Sequence, residues 1–137
     1  MRILLTGATG YIGKRLLPLL INDGHEVVCC VRDKERFDLT NFKNNEQIEL
    51  IEVDFLQSAS VQTIPKDIDA AYYLIHSMSS SVDYSDLELT CAHNFRNHMA
   101  TTNVEHVIYL SGISNEEKLS KHLSSRKAVE EELASEN

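Results

Sequence analysis

Residues 6–13 read TGATGYIG, a Gly-x-x-Gly-x-x-Gly pattern between a short apolar run and an amphipathic segment. Gly7 allows a tight turn, Gly10 allows a pyrophosphate to approach the backbone, and Gly13 lets a helix pack closely on a strand. The amides from Thr9 to Ile12 then point at phosphate oxygens, together with the partial positive charge of a helix N-terminus. The pattern predicts a phosphate-binding turn; the alternative is a glycine-rich turn that binds nothing.

Short β-rich runs alternate with longer helical patterns on both sides of this turn. The predicted strands are Arg2–Thr6, Glu26–Val31, Ile48–Val53, Ala70–His76 and His106–Leu110. The predicted helices are Tyr11–Asp23, Asp83–Thr101 and Ser120–Ser135, with a short one at Ser58–Ile64. Asp33–Asn45 is predicted to be a loop that could include one turn of helix. Right-handed crossovers give a parallel sheet of order 3-2-1-4-5 with helices on both faces. The fold class is therefore α/β, a doubly wound, three-layer αβα sheet of the Rossmann type.

Two helices carry more detailed expectations. Gly24 follows the first helix as a residue that can adopt a positive φ, and Pro18 lies inside that helix, where we expect a bend. The apolar residues of the second long helix are expected to face the core: Leu87, Leu89, Cys91, Phe95 and Met99.

Composition excludes several classes of protein. The 137 residues include 13 Lys and Arg against 21 Asp and Glu, a net charge of −8, which argues against nucleic acid as a partner. No apolar run is long enough for a membrane span or a signal peptide, so we expect a cytoplasmic protein without a membrane partner. The three cysteines are expected to be reduced thiols, and neither they nor the six histidines have metal-ligand spacing.

The length predicts one domain over residues 1–137. The sequence stops directly after a predicted helix, where a fold of this kind normally adds another strand. We therefore expect the chain to be truncated relative to a longer protein.

Five motifs occur in the order typical of one superfamily. They are TGATGYIG at 6–13, GHEV at 24–27, VDFL at 53–56, YYLIHS at 72–77 and VIYLSG at 107–112. With these motifs the chain resembles the short-chain dehydrogenase/reductase superfamily, particularly its extended and atypical branches of NAD-dependent epimerase/dehydratase-like and NmrA-like proteins. The resemblance implies a nicotinamide dinucleotide cofactor. Together with these motifs it assigns cofactor contacts to Gly7, Thr9, Gly10, Tyr11, Ile12, Gly13, Arg32, Asp54, His76 and Ser77. His76 and Ser77 are included because they follow the fourth strand, at the border of the expected cleft; the alternative for His76 is a buried, hydrogen-bonded structural histidine.

The residues after the second strand bear on the choice between NAD and NADP. An acid there binds the ribose hydroxyls of NAD, whereas an arginine pairs with the 2′-phosphate of NADP. Arg32 comes first and favours NADP, but Asp33 could be the ribose ligand instead, or the two could be a surface charge pair. Asp54 matches the acid with which the superfamily accepts a hydrogen bond from the adenine amino group; its alternative is a loop or capping aspartate.

The catalytic pattern of the superfamily is incomplete here. In active reductases a serine follows the fifth strand and a Tyr-x-x-x-Lys pair handles the proton. Ser111 matches the serine, but alignment of the later segment puts His122 at the tyrosine and Arg126 at the lysine. A shift by one residue gives Leu123 and Lys127, so neither register supplies a tyrosine. The alternatives are a strand-end capping serine for Ser111 and a solvated histidine on an exposed helix face for His122.

Two hypotheses about function remain. The first is an NAD(P)-dependent oxidoreductase or nucleoside-diphosphate-sugar epimerase-like enzyme that acts on a small molecule. The second is a regulatory module that senses NADP(H) without turning it over, as NmrA-like relatives are thought to do. In either case we expect the chain to form a homo-oligomer. Its copies would associate through the sheet edge at the fifth strand or through the helices that flank the fourth and fifth strands.

Overall fold

The computed structural model describes residues 1–75, 84–110 and 121–134, without the side chains of 84, 85 and 121–127. Its strands are β1 (Arg2–Leu5), β2 (Glu26–Val31), β3 (Ile48–Glu52), β4 (Ala70–Tyr73) and β5 (His106–Tyr109). Its helices are α1 (Tyr11–Asn22), α2 (Ser58–Val61), α3 (Tyr84–Met99) and α4 (Lys121–Ala134). The strands form one parallel sheet of order β3-β2-β1-β4-β5, which confirms the predicted fold class.

Four of the five strands end earlier than the sequence predicted, and only β2 has the predicted bounds. β1 ends at Leu5, one residue before the predicted end, although the Thr6 amide still donates to the carbonyl of Tyr72. β4 is the largest difference, since it ends at Tyr73 and the predicted end, His76, lies outside the described residues. At the carboxyl ends of the strands, the apolar residues continue beyond the last hydrogen-bonded pair. The ends of strands are therefore hard to predict from the apolar pattern.

The core has two halves, one on each face of the sheet. On one face, side chains from β1 and β2 pack with α1; the buried members include Ile3, Leu5, Leu17, Leu20, Val27 and Cys29. On the other face, alternate residues of the same strands pack with α2, α3 and α4; the buried members include Leu4, Val28, Tyr73, Phe95 and Val129. This alternation is what a parallel strand covered on both sides requires. Cys29 and Cys30 are buried free thiols on opposite faces.

The inward face of α3 differs from the prediction. Phe95 and Met99 are buried as expected, but Leu87 and Leu89 are 42% and 38% exposed. Glu88 and Ala92 are buried in their place. Positions 88, 92, 95 and 99 follow the helical period of 3.6 residues, whereas Leu87 lies about 120° around the helix from Met99. A buried glutamate on this face could not be expected from hydrophobicity alone.

The segments on either side of β2 differ: short 3₁₀ turns follow it, whereas the regular helix α1 precedes it. Three short 3₁₀ turns, Lys34–Arg36, Leu39–Asn41 and Asn45–Gln47, lie between β2 and β3, where a loop with one possible turn of helix was predicted. The α1 helix continues through Pro18. It ends as predicted, with Gly24 at φ +85° and its amide donating to the carbonyl of Ile21.

Candidate functional site

The turn between β1 and α1 has little free space around two of its glycines. Gly7 has φ +69°, and a Cβ added there would lie 2.6 Å from the carbonyl oxygen of Leu74. A Cβ at Gly13 would lie 2.1 Å from the carbonyl oxygen of Gly7. Gly10 differs, because a Cβ there would lie 3.4 Å from that same oxygen, an ordinary contact. Gly7 and Gly13 are therefore required by the fold, whereas Gly10 is not.

The same turn holds a group of backbone amides without partners. The amide of Gly10 donates to the carbonyl of Gly7 at 3.0 Å, and that of Lys14 donates to the carbonyl of Gly10 at 2.9 Å. Within the described part of the chain, five further amides between Ala8 and Gly13 find no acceptor: those of Ala8, Thr9, Tyr11, Ile12 and Gly13. The first turn of α1 also contains no acidic residue. Such a set of donors at a helix N-terminus fits phosphate oxygens.

Thr6 connects this turn to β4. Its buried hydroxyl donates to the carbonyl of Tyr72 at 2.9 Å and accepts from the amide of Leu74 at 3.0 Å. The Thr6 amide donates to the same Tyr72 carbonyl at 3.1 Å. These bonds hold the end of β4 against the start of the glycine turn, where Leu74 closely approaches Gly7.

The two charged residues after β2 have different environments. Asp33 is engaged locally: its carboxylate accepts from the amide of Glu35 at 3.0 Å and lies 3.6 Å from Nε of Arg36. Arg32 is exposed, and no hydrogen bond or ion pair of its side chain occurs among residues 1–75, 84–110 and 121–134. The guanidinium of Arg32 is therefore available to an anion, whereas Asp33 stabilises the 3₁₀ turn that follows it.

The loop after β3 carries Asp54 and is held by several hydrogen bonds. One carboxylate oxygen of Asp54 accepts from the amide of Leu56 at 3.0 Å, and its carbonyl accepts from the amide of Gln57 at 3.0 Å. This is the loop role considered as the alternative for Asp54, but it occupies only one of the two oxygens. The amide of Phe55 has no acceptor among the described residues. Sequence reasoning could not identify that amide, because a backbone donor has no side-chain signature.

Comparisons with known proteins agree with this geometry. A sequence profile of the family described as NAD(P)H-binding matches residues 7–136. The chain belongs to the NAD(P)H-binding family. It is 29% identical over 121 residues to the auxiliary protein GraX of Staphylococcus aureus, a match that covers 81% of this chain and 36% of GraX.

Solved structures show the same fold. A nucleoside-diphosphate-sugar epimerase from Staphylococcus aureus superposes with a TM-score of 0.79 at 19% identity, over 98% of this chain and 46% of that one. The Citrobacter sp. triphenylmethane reductase, solved with NADP(H), superposes with a TM-score of 0.76 at 19% identity, over 97% of this chain and 45% of that one. The chain thus spans about a third to a half of the length of these relatives. It is an NAD(P)H-binding Rossmann-type domain, as the sequence predicted.

Helix α3 carries a free thiol, Cys91, near the residues that follow β2 and β3. Cys91 is half-buried, and burial raises its pKa to about 11; the neighbouring Asp54 carboxylate raises it further, whereas Arg32 opposes the shift. Cys91 therefore lies close to the residues that follow β2 and β3. A thiol with this pKa is protonated at neutral pH and is a poor nucleophile.

The remaining predicted site residues lie outside the described part of the structure. His76 and Ser77 follow β4, and Ser111 follows β5, in segments that are not described. His122 and Arg126 belong to α4, but their side chains are not described either. Their roles therefore stay predictions.

Two further properties can be stated for the described residues alone. No group of three or more His, Cys, Asp or Glu side chains within them is arranged to hold a metal ion. None of the helices that they form combines the length and the apolar character needed to cross a bilayer.

Proposed function

We propose that this domain binds NADP(H) in preference to NAD(H), with the pyrophosphate at the turn between β1 and α1. The observation that carries the proposal is the set of five unpartnered amides at the N-terminus of α1, next to the glycine that leaves room for a ligand. Thr9, Tyr11 and Ile12 contribute their backbone amides. Their side chains are not needed for the contact with phosphate.

Arg32 supports the preference for NADP. It is the first residue beyond β2, it is exposed, and it has no protein partner in the described part of the chain, so it is free to pair with a 2′-phosphate. Asp33 is the residue that would bind the ribose hydroxyls of NAD. It is less available, because its carboxylate already accepts from Glu35 and lies beside Arg36.

Titration of the purified domain with NADPH and NADH, followed by calorimetry, tests this assignment. Removal of one charged hydrogen-bonding partner costs about 1.5–3 kcal/mol, so Arg32→Ala should weaken NADPH binding about 10- to 150-fold. NADH binding should not change. Arg36→Ala is the matched control, since Arg36 is also an exposed arginine near Asp33. Equal affinity of the wild type for NADH and NADPH, or an unchanged preference in Arg32→Ala, would contradict the assignment.

Asp54 and Phe55 fit the adenine. The second carboxylate oxygen of Asp54 is an acceptor, and the unpartnered amide of Phe55 is a neighbouring donor. The Watson–Crick edge of adenine presents the opposite pair, an amino donor at N6 and an acceptor at N1. His76 and Ser77, which follow β4, are proposed to line the nicotinamide side of the same cleft.

The first candidate activity is that of an oxidoreductase or a nucleoside-diphosphate-sugar epimerase-like enzyme. A bound nicotinamide supplies hydride transfer. Ser111 would hold the substrate oxygen, His122 would act as acid and base, and Arg126 would hydrogen-bond the nicotinamide ribose. A longer protein would supply the residues that cover a small-molecule substrate, since the relatives extend well beyond the matched region.

The second candidate is a module that senses NADP(H) without turnover. It is favoured by the absence of tyrosine from the segment His122–Glu131, which removes the usual proton donor of the superfamily in either register. The relative GraX, which is described as an auxiliary protein, supports the same interpretation. Both candidates require the same cofactor site.

Turnover of NADPH separates the two candidates. Loss of a general acid typically lowers a rate by about 10²- to 10⁴-fold. We therefore expect the 137-residue chain to bind NADPH but not to oxidise it with simple ketones, aldehydes or quinones. Steady oxidation that Ser111→Ala or His122→Ala abolishes would instead establish the enzyme with a histidine acid.

We further propose a cytoplasmic location and a homo-oligomer. The three free cysteines support a reducing compartment. Strand β5 lies at the edge of the sheet, and its Val107 and Ile108 are 39% and 42% exposed, a surface that another copy could cover. Sedimentation tests the second point, because a monomer at high concentration would contradict it.

A further inference from the structure

Four of the five amides in the loop after β3 are used within the protein, that of Val53 by the carbonyl of Val31, and one is left over. The amide of Asp54 donates to the hydroxyl of Ser60 at 2.8 Å, that of Leu56 to the carboxylate of Asp54, and that of Gln57 to the carbonyl of Asp54. Only the Phe55 amide lacks an acceptor among the described residues. The loop therefore presents one donor next to a carboxylate oxygen of Asp54 that has no hydrogen-bond partner among the described residues, and the hydrogen bonds of the loop determine where both point.

The Phe55 carbonyl has a partner on a different element. Nδ2 of Asn94, which lies on α3, donates to that carbonyl at 2.8 Å across a partly buried contact. The carbonyl of Phe55 and the amide of Leu56 belong to one rigid peptide unit. Asn94 therefore orients the unit whose amide binds the Asp54 carboxylate, and so restrains that carboxylate as well.

The Phe55 side chain restrains the loop from the same direction. It is buried, and its ring centroid lies 6.3 Å from that of Phe95, the residue after Asn94. This packing sets the distance between loop and helix, but it leaves rotation of the peptide planes open. The directional bonds from Asn94 and from Ser60 restrict that rotation.

We infer that Asn94 on α3, together with Ser60 on α2, is a positioning residue for adenine recognition, which holds the Asp54 carboxylate and the Phe55 amide in the orientation that distinguishes adenine from other bases. The inference rests on the proposed function, because it assumes that the adenine of the dinucleotide lies at this loop. Binding groups must be held to within about 0.5 Å by the residues around them if they are to be selective. Asn94 and Ser60 supply the two hydrogen bonds to this pair of residues that come from outside the loop.

An analogue with hypoxanthine in place of adenine isolates this effect. In hypoxanthine the 6-amino donor becomes an oxo acceptor and N1 becomes a donor. The Asp54 carboxylate would then face an acceptor and the Phe55 amide would face a donor, so neither hydrogen bond could form. NADPH and its hypoxanthine analogue are otherwise identical, with the same phosphates and the same nicotinamide. The ratio of their dissociation constants therefore reports the orientation of Asp54 and Phe55 and is insensitive to changes elsewhere in the site.

The experiment measures this ratio for the wild type, Asn94→Ala, Ser60→Ala and Asn97→Ala, with a thermal unfolding curve for each variant. The wild type should prefer adenine at least about tenfold, since each unpaired polar group is costly. Asn94→Ala and Ser60→Ala should lower that preference to about threefold or less. Asn97→Ala is the matched control, because Asn97 is exposed on the same helix and bonds to His93 instead; it should keep the wild-type ratio.

The outcomes distinguish the two levels of the argument. Failure of the wild type to bind NADPH overturns the proposed function itself. Binding without preference for adenine overturns the assignment of Asp54 and Phe55, and with it the inference. A strong preference that Asn94→Ala and Ser60→Ala retain, even with weaker binding of both ligands, would show that the two residues only support the fold. If Asn94→Ala does not fold, Ser60→Ala alone decides, since Ser60 belongs to a different helix.

Discussion

Replacement of Gly13 by alanine should destabilise the protein even without a ligand. The added Cβ would lie 2.1 Å from the Gly7 carbonyl oxygen and 2.9 Å from the Cα of Ala8, so the helix and the turn must separate by roughly 1 Å. Overpacking of this kind costs about 1–3 kcal/mol, and disruption of the bond from the Gly10 amide to the Gly7 carbonyl adds about 1 kcal/mol. Alanine regains up to about 1 kcal/mol of helix propensity. The net loss should be about 2 kcal/mol.

Urea unfolding of Gly13→Ala and Gly10→Ala, each with and without NADPH, measures the difference. A Cβ at Gly10 makes only an ordinary contact of 3.4 Å, so Gly10→Ala should unfold within about 0.5 kcal/mol of the wild type. It should nevertheless lose the stabilisation that NADPH gives the wild type, because its methyl group occupies the approach to the phosphates. Equal unfolding midpoints for Gly13→Ala and the wild type, or equal destabilisation by both substitutions, would refute this reasoning.

Three further changes test the packing around the site. Thr6→Val keeps the shape but leaves the Leu74 amide without its acceptor, so we expect a loss of about 1–3 kcal/mol in urea unfolding that Thr6→Ser largely avoids. Phe95 is fully buried, and its ring centroid lies 4.7 Å from that of Tyr73. Phe95→Ala leaves a cavity there and should lower the free energy of unfolding by about 3–5 kcal/mol in the same assay. A hydrogen bond with His93 lowers the pKa of Glu132, so its contribution is present above the ordinary value of 4.5 and is lost as pH falls through the lowered pKa. The stability difference between wild type and Glu132→Gln should therefore shrink below pH 4.5 in unfolding curves across that range; a constant difference would contradict it.

The sheet order and the glycine turn between β1 and α1 could be predicted from local signals. The pattern TGATGYIG needs no distant contact to be read, because the turn and the helix that follows it are adjacent in sequence. The bounds of β2 and the positive φ of Gly24 were predicted correctly for the same reason. Handedness rules then limit the order of the strands to very few arrangements.

The inward face of α3 could not be predicted in this way. Leu87 and Leu89 are more apolar than Glu88, yet Glu88 is the buried one. A helix turns whichever face fits its neighbours, and α3 packs at once against the sheet, α2 and α4. Together these contacts stabilise the observed orientation of α3 more than burial of Leu87 and Leu89, near its N-terminus, would stabilise another one.

The sequence by itself therefore determined the class of ligand, NAD(P)H, because the glycine turn is made of backbone atoms and glycine is the residue that exposes them. Only the tertiary structure decided which polar groups remain available for the rest of the cofactor. From the sequence, both Arg32 and Asp33 were candidates to bind the ribose end of the cofactor. In the structure the Asp33 carboxylate already accepts a hydrogen bond from Glu35 in the 3₁₀ turn that follows it and lies beside Arg36. Asn94 lies about forty residues beyond Phe55 and contacts it because α3 packs beside the loop that follows β3. Whether a polar group has a partner depends on residues distant in the chain, and only the folded structure brings those together.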